Sequence, residues 1–161
     1  MIRWAWVLNL LGWPIIHVTV GSLLLRWPEA AFAQDSWLTR ERHCEQGGNL
    51  YRKLFAIQRW KRRLPDGAPW LGGMAKKRLS GRSTAYLRDL VVETRRAEYA
   101  HWGMLLCTPW FFIWNPPWAC AVMTAYGLAA NLPCILAQRA NRIQLSRMAH
   151  RRTAAFHHQP M

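Results

Sequence analysis

The stretch YAHWGMLLCTPWFFIWNPPWACAVMTAYGLAANLPCILA, residues 99–137, decides the fold of this chain. It consists of two apolar runs, 99–114 and 118–137, which are joined by the turn Asn-Pro-Pro at 115–117. A pair of prolines cannot continue a helix, and this turn carries no charge. The stretch therefore predicts a helical hairpin whose two ends lie on the same side of the layer that it crosses.

A third apolar run, at residues 4–25, precedes the hairpin. About 20 apolar residues span the hydrocarbon of a bilayer, so this run is long enough to cross it. The run could instead be a secretory signal peptide, because Ala31-Phe32-Ala33 fits a small-x-small cleavage site. Since it exceeds the usual apolar length of such signals, about 7–15 residues, a retained anchor is favoured. Tryptophans flank the runs, as at membrane–water interfaces: Trp4, Trp27, Trp102, Trp114 and Trp118.

Positive charge is concentrated outside these runs. The chain has 161 residues and is 52% hydrophobic, yet its formal net charge is +14. Sixteen Lys and Arg lie within 26–98 and five more follow residue 138. Cytoplasmic segments of membrane proteins carry such an excess. We therefore expect a cell-membrane protein whose N-terminus is outside and whose basic segment and C-terminus face the cytoplasm.

Together these patterns predict an all-α integral membrane protein with three transmembrane helices, namely one N-terminal anchor plus a C-terminal helical hairpin. A single membrane domain over 1–161 would comprise a first crossing at 4–25, a cytoplasmic interfacial segment at 26–90, the hairpin at 91–138 and a basic tail at 139–161. The expected partner of the charge is the lipid membrane. No nucleic acid is expected, because no recognised nucleic-acid-binding motif accompanies the charge.

The interfacial segment contains a predicted basic amphipathic helix over residues 50–64. One face of this helix would be apolar and the opposite face basic: Leu50, Leu54, Ile57, Trp60 and Leu64 against Arg52, Arg59, Arg62 and Arg63. Such a helix usually lies flat among lipid headgroups, and packing against the rest of the protein is the alternative. Further on, Ser83 or Thr84 is predicted to cap the helix that continues into the second crossing.

Polar side chains recur along one face of each hairpin helix. Glu98 and His101 are one turn apart, close enough for the carboxylate to orient or charge the imidazole. His101 lies 15 residues before Pro116 and Asn131 lies 15 after it. Both are therefore predicted about 22 Å from the turn of the hairpin. Ionisable groups at that depth indicate function by default, whereas a hydrogen bond that only joins the helices is the structural alternative.

This set of side chains suits acyl transfer. His101 can act as general base, with Glu98 holding its tautomer and stabilising the imidazolium. Asn131 and Gln138 would position the acceptor or polarise a thioester carbonyl. Four arginines near the leaflet surface would hold the anionic part of the acyl donor: Arg95, Arg96, Arg139 and Arg142.

The sequence predicts neither a covalent intermediate nor a metal. No Ser or Cys lies in a nucleophile-elbow motif, so direct transfer between two bound substrates is favoured. The four cysteines form no CxxC pair, and His43-Cys44 has no second ligand pair at zinc spacing. No bound cofactor is expected. The acyl donor is expected to be acyl-CoA or another activated acyl carrier, and the identity of the acceptor is left open by these residues; the family resemblance below implies an amphipathic glycosylated one.

Two hairpin motifs carry a family resemblance. They are ETRRAE at 93–98, followed by His101-Trp102, and ANLP at 130–133, followed by QR at 138–139 and NR at 141–142. A weaker match covers 60–67. The sequence resembles the glycosyl-4,4'-diaponeurosporenoate acyltransferase family, small membrane enzymes of bacterial carotenoid biosynthesis. The resemblance implies transfer of a fatty acyl chain onto a sugar hydroxyl of a glycosylated carotenoid, completing a staphyloxanthin-like pigment.

We thus predict His101 and Glu98 as catalytic residues. The predicted substrate-binding residues are Glu93, Arg95, Arg96, Asn131, Gln138, Arg139, Asn141, Arg142, Trp60, Lys61 and Asp66. The chain departs from the family at Ala140, where an aromatic is expected, and at Ile143, where proline is expected, which leaves the acceptor open. The alternative function is a non-catalytic membrane module that binds anionic lipids or a partner enzyme through its basic face.

Overall fold

The computed structural model describes residues 4–64 and 83–157, and all the regular structure in those ranges is helical. The helices are α1 (Ala5–Arg26), α2 (Asn49–Lys53), α3 (Ile57–Trp60), α4 (Thr84–Leu106) and α5 (Pro117–His157). Short 3₁₀ turns lie at Glu29–Phe32, His43–Gly48, Lys61–Arg63 and Thr108–Ile113.

The predicted hairpin is formed by α4 and α5, which pack along each other. Ser83 caps α4, as predicted, because its Oγ accepts a hydrogen bond from the backbone N–H of Tyr86 at 3.1 Å. The predicted helix to residue 114 was wrong beyond Leu106, where a 3₁₀ turn takes over. Pro109 accounts for this change, since proline has no N–H to donate and disfavours helical geometry in the residue before it.

The second arm of the hairpin is longer than predicted. α5 has 41 residues, or about 61 Å at 1.5 Å per residue, and it runs without interruption through Pro133. The helix continues through the predicted basic tail as far as residue 157, and the cytoplasmic location of that tail stays a prediction. Leu145 and Ala149 of this extension pack against Leu87 and Leu90, so the interface with α4 holds it in place.

α1 joins the hairpin at its turn, which we call the tip; the opposite end, toward Arg142, is the base. The side-chain amides of Asn9 and Asn115 hydrogen-bond each other in both directions, at 2.9 and 2.7 Å. Below them, Trp13 stacks on Phe111 with ring centroids 5.0 Å apart. The tip is therefore tied to the beginning of α1.

The helices suit a lipid environment. Among the described residues two helices are long and apolar enough to cross a membrane, α1 and residues Pro117–Ala154 of α5. Large apolar side chains cover the outside of α1 and of the tip half of the hairpin: Trp6, Leu10, Ile15, Leu106, Trp110, Ile113, Trp118 and Val122. The predicted second crossing belongs to α4, whose first half is charged. That crossing stays a prediction.

The predicted amphipathic helix over 50–64 was wrong as a single element. The chain forms α2, turns, and resumes as α3, with Ala56 in the left-handed region at φ 46°. Two packing contacts account for the break. Tyr51 and Ile57 both pack against α5, and the indole N–H of Trp60 donates to the backbone oxygen of Phe55 at 2.8 Å. Tertiary contacts thus override the helical periodicity of this segment.

Candidate active site

His101 and Asn131 meet across the hairpin, so the register predicted from their distance to Pro116 is confirmed. The Nδ1 atom of His101 lies 2.9 Å from Oδ1 of Asn131. The amide nitrogen of Asn131 donates to the backbone oxygen of Gly127 at 2.9 Å, which fixes the amide oxygen toward the imidazole. This contact favours the neutral tautomer with its proton on Nδ1, which places the lone pair on Nε2. Asn131 is fully buried and His101 is half-buried.

Glu98 contacts two arginines of α5. Its oxygens accept hydrogen bonds from Nη1 of Arg139 at 2.7 Å and from Nη1 of Arg142 at 2.5 Å. The residue is 0% exposed, so these charge-assisted bonds form out of water, where they are strongest. The orienting contact on Nδ1 of His101 comes from Asn131. The predicted support of His101 by Glu98 stays a prediction.

Arg139 uses its whole guanidinium inside the protein. Its Nε donates to Glu45 at 2.8 Å and to the hydroxyl of Tyr51 at 3.1 Å. Its Nη1 and Nη2 donate to the backbone oxygens of Leu38 and Arg40, at 2.8 and 3.0 Å. Arg139 thus joins α5 to the irregular chain that precedes α2.

Arg142 and Arg95 bind the same part of the chain. Nη2 of Arg142 donates to the backbone oxygen of Thr39. Arg95 donates to Asp35 at 2.7 Å and to two further backbone oxygens, those of Phe32 and Ala33, at 3.2 and 3.0 Å. We call residues 32–45 the clamped segment. Three arginines predicted to bind the donor are therefore occupied in holding this segment on the hairpin.

A hydroxyl-stabilised turn presents the clamped segment to the arginines. The Oγ of Ser36 accepts from the backbone N–H groups of Leu38 and Thr39 at 3.1 and 3.2 Å. Thr39 returns a bond, since its Oγ1 accepts from the backbone N–H of Ser36 at 3.0 Å. The hydroxyl of Tyr99 on α4 then donates to Ser36 at 2.6 Å. The turn places three successive carbonyls, at 38–40, against Arg139 and Arg142.

Glu45 and Tyr51 complete the hydrogen-bond network around Arg139, and the one proton that they share belongs to the hydroxyl of Tyr51. Burial raises the pKa of Glu45, but hydrogen bonds from Arg139, from Tyr51 and from the backbone of Arg42 outweigh it and leave the pKa below its ordinary value. Burial and the hydrogen bond to Glu45 raise the pKa of Tyr51. Tyr51 therefore donates to an ionised Glu45. We call Glu98, Arg139, Arg142 and Glu45 the charged layer; its two carboxylates balance its two guanidiniums.

The remaining predicted residues fall into two groups. Glu93 and Arg96 form an ion pair within α4, and Arg96 also lies over the ring of Phe32, 5.2 Å from its centroid. Lys61 donates to Asn141 at 2.9 Å, which brings together residues 80 positions apart in the sequence.

Of the other predicted residues, Trp60 packs against α5, Gln138 lies on α5, and Asp66 falls outside the described chain. Trp60 packs beside the cluster of Tyr51, Ile57 and Ile143, so the isoleucine at the unusual family position fills an apolar core. The side-chain oxygen of Gln138 is buried and has no hydrogen-bond partner among the residues that the structure describes. Asp66 lies outside the described residues.

Sequence reasoning missed the acidic and hydroxyl side chains of the clamped segment. These are Asp35, Ser36, Thr39 and Glu45, with Tyr51 just beyond. One signal was available: Asp35 and Glu45 belong to residues 29–45, where four acids stand against two arginines in an otherwise strongly basic chain. Acids in such a stretch often have basic partners elsewhere, but nothing in the sequence identifies those partners as Arg95 and Arg139.

Comparison with known proteins supports the family resemblance of the two hairpin motifs. The profile of the glycosyl-4,4'-diaponeurosporenoate acyltransferase family matches residues 34–151. A protein of that name from Staphylococcus haemolyticus is 31% identical over 134 residues, which cover 83% of this chain and 78% of the relative. One from Staphylococcus aureus is 28% identical over 137 residues, covering 84% and 82%. No solved structure matches the chain. The matched region includes most of the clamped segment, all of α4, and α5 as far as residue 151.

Proposed function

Because the chain belongs to the glycosyl-4,4'-diaponeurosporenoate acyltransferase family and is an acyltransferase, we propose that it moves a fatty acyl group onto a sugar hydroxyl of a glycosylated carotenoid or similar glycolipid. We place the reaction at the cytoplasmic face of the cell membrane. The observation that carries the proposal is the hydrogen bond between His101 and Asn131, 2.9 Å long, inside an apolar hairpin.

Membrane location is supported by length, exposure and charge. α1 and α5 are long and apolar enough to span. Their outward side chains include exposed tryptophan and leucine, which suit lipid and its interface. From the tip, His101 and Asn131 lie about 22 Å down the hairpin, inside a hydrocarbon layer of about 30 Å. The charged layer then lies near the cytoplasmic headgroups, where the positive-inside rule places the basic end.

His101 is proposed as the general base. Nε2 takes the proton of the acceptor hydroxyl as its oxygen attacks the acyl carbonyl, and the proton then passes to the leaving group. Asn131 keeps the imidazole in the tautomer that makes Nε2 basic, and the imidazolium keeps its Nδ1 bond to Asn131. A neutral amide in place of a carboxylate adds no second charge at this depth.

The other predicted residues are proposed in two roles. Gln138 has a buried side-chain oxygen with no hydrogen-bond partner within 4–64 and 83–157, two turns or about 10 Å from Asn131 along α5. This oxygen is suited to accept a hydrogen bond from a second hydroxyl of the sugar. The three arginines that hold the clamped segment are proposed as positioning residues, since their donors already have acceptors.

The test is acyl transfer by the full chain in vesicles, with a long-chain glycoside as acceptor. His101→Ala should lower the rate by roughly 100-fold or more, because general base catalysis typically contributes that much. His17→Ala is the matched control. His17 also lies in an apolar helix, and its Nδ1 contacts only a carbonyl of its own helix among the contacts described, Trp13 O at 2.7 Å. A folded His101→Ala protein with wild-type rate would remove His101 from the mechanism.

A further inference from the structure

On the base side of His101, the hairpin is closed by buried residues. Glu98 lies one turn nearer the base on the same helix and is 0% exposed. Arg142 and Thr94 are also buried, and the turn of the clamped segment covers them through its carbonyl contact to Arg142. A molecule moving along the hairpin axis from the basic end would have to pull this charge-balanced layer apart.

The tip end is closed by packing. Trp13 and Phe111 are both buried, and they stack between α1 and the hairpin. Gly127 lies so close to Trp13 that an added Cβ would stand 2.6 Å from the indole. The paired amides of Asn9 and Asn115 lie beyond. Within the described chain, neither end of the hairpin leads to His101.

His101 nevertheless remains half-buried rather than sealed. Because both ends are closed, the route that remains to its exposed part is from the side of the helical bundle. Exposed leucines lie at the same level, Leu128 and Leu132 on either side of Asn131 in α5 and Leu106 one turn beyond His101. In a membrane this side would face acyl chains and not water.

Three arginines near the base, Arg95, Arg139 and Arg142, would lose internal bonds if they bound a phosphate. Arg139 and Arg142 share Glu98, Arg95 contacts Asp35, and Arg96 contacts Glu93. Each therefore already has a carboxylate. A coenzyme A donor would need cations beside its pyrophosphate, whereas a phospholipid keeps its phosphate outside, among the headgroups.

We infer that the acyl donor is a bilayer phospholipid, which reaches His101 sideways from the leaflet; the inference rests on the proposed function. The sugar oxygen bonds to the carbonyl carbon of the lipid ester, and the bond from that carbon to the glycerol oxygen breaks. The sugar proton moves through Nε2 of His101 to the glycerol oxygen. The products are the acylated glycoside and one lysophospholipid, with no further reactant. The ester groups of the leaflet lie about 8 Å from the depth of His101, within two helical turns.

The test compares two isotope-labelled donors with the full chain in vesicles and a long-chain glycoside acceptor. In one arm the phosphatidylglycerol of the vesicles carries the labelled acyl chain; in the other, labelled palmitoyl-CoA is added to unlabelled vesicles. The lipid arm should be at least tenfold faster and should release one lysophospholipid for each product. Equal or faster transfer from palmitoyl-CoA would overturn the inference and leave the acyltransferase function intact. No His101-dependent product from either donor would overturn both.

Accessibility gives a second, independent measurement. We would place His101→Cys in a chain with Cys107→Ala, Cys120→Ala and Cys134→Ala, keeping the exposed Cys44 as an internal control. A long-alkyl maleimide should label position 101, and a charged thiosulfonate should label Cys44 at least tenfold faster than position 101. Comparable labelling of both positions by the charged reagent would show entry from water and overturn the inference.

Discussion

Two polar layers of the hairpin differ in how they are built. The upper layer, His101 with Asn131, comes from two regular helices alone. The charged layer joins α4 and α5 to an irregular segment from elsewhere in the chain. The difference indicates a division of labour: the upper layer carries the chemistry, and the charged layer holds the structure that surrounds it.

The largest effect should come from breaking the charged layer. Glu98→Ala leaves two buried guanidiniums without their shared carboxylate, and loss of one partner of a buried ion pair costs about 3–5 kcal/mol. Thermal unfolding in detergent should show the loss. Asp89→Asn, at an exposed acid of the same helix, should stay within about 0.5 kcal/mol. A Glu98→Ala protein as stable as wild type would contradict the structural role of this layer.

Breaking the upper layer should affect rate more than stability. Asn131→Ala removes the acceptor on Nδ1 of His101, so we expect a rate loss of roughly 100-fold, about 2.7 kcal/mol in the barrier. The acidic limb of the pH–rate profile should also move, because the imidazolium loses a hydrogen bond. Thr124→Ala is the control, since its hydroxyl bonds a carbonyl of its own helix at 2.8 Å. An unchanged pH profile would exclude this orienting role.

The stability of the packing between α1 and the hairpin should depend on side-chain volume and not on charge. Gly127→Ala would place a methyl group 2.6 Å from the indole of Trp13, and overpacking of this kind costs about 1–3 kcal/mol. Gly103→Ala is the matched control, because its new methyl group would meet only Val20, at 3.2 Å. Differential unfolding of the two variants measures the effect. Equal stability of the two would mean that the tip is not tightly packed.

The smallest expected effect is the pH dependence of the charged layer. The folded protein lowers the pKa of Glu45, so its contribution to stability is present above the unfolded pKa of about 4.3 and is lost as pH falls through the folded pKa. The melting temperature of wild type should fall below pH 4, and Glu45→Gln should show a smaller fall. If the melting temperatures of the two proteins fall in parallel as the pH is lowered, groups other than Glu45 cause the loss of stability in acid.

The features that could be predicted from the sequence are those that regular helix geometry determines. Counting residues outward from Pro116 was enough to bring His101 to Asn131, because a helix converts sequence separation into distance. The ends of α4 and α5 were harder to place. Pro109 stops the α-helix early, whereas Pro133 lies inside α5 without ending it. Local residue preferences do not separate these two cases, but tertiary packing does.

The clamped segment could not be predicted from its own residues. It has no periodic pattern, and its bonds to Arg95 and Arg139 join positions 60 and 94 residues apart. The sequence singled out four arginines for their positive charge, and each of them contacts an internal carboxylate; their predicted binding of an anionic donor stays a prediction. Composition shows how many charges a chain has and not which of them neutralise each other.

The arginines grip the clamped segment largely through its main chain. Five of their bonds end on carbonyl oxygens, at residues 32, 33, 38, 39 and 40. Every amino acid supplies that oxygen, so side chains at positions such as 38 and 40 can vary freely while the grip persists. Inserting or deleting one residue there would shift each oxygen out of reach. Substitutions in this loop should therefore be tolerated during evolution far better than insertions or deletions.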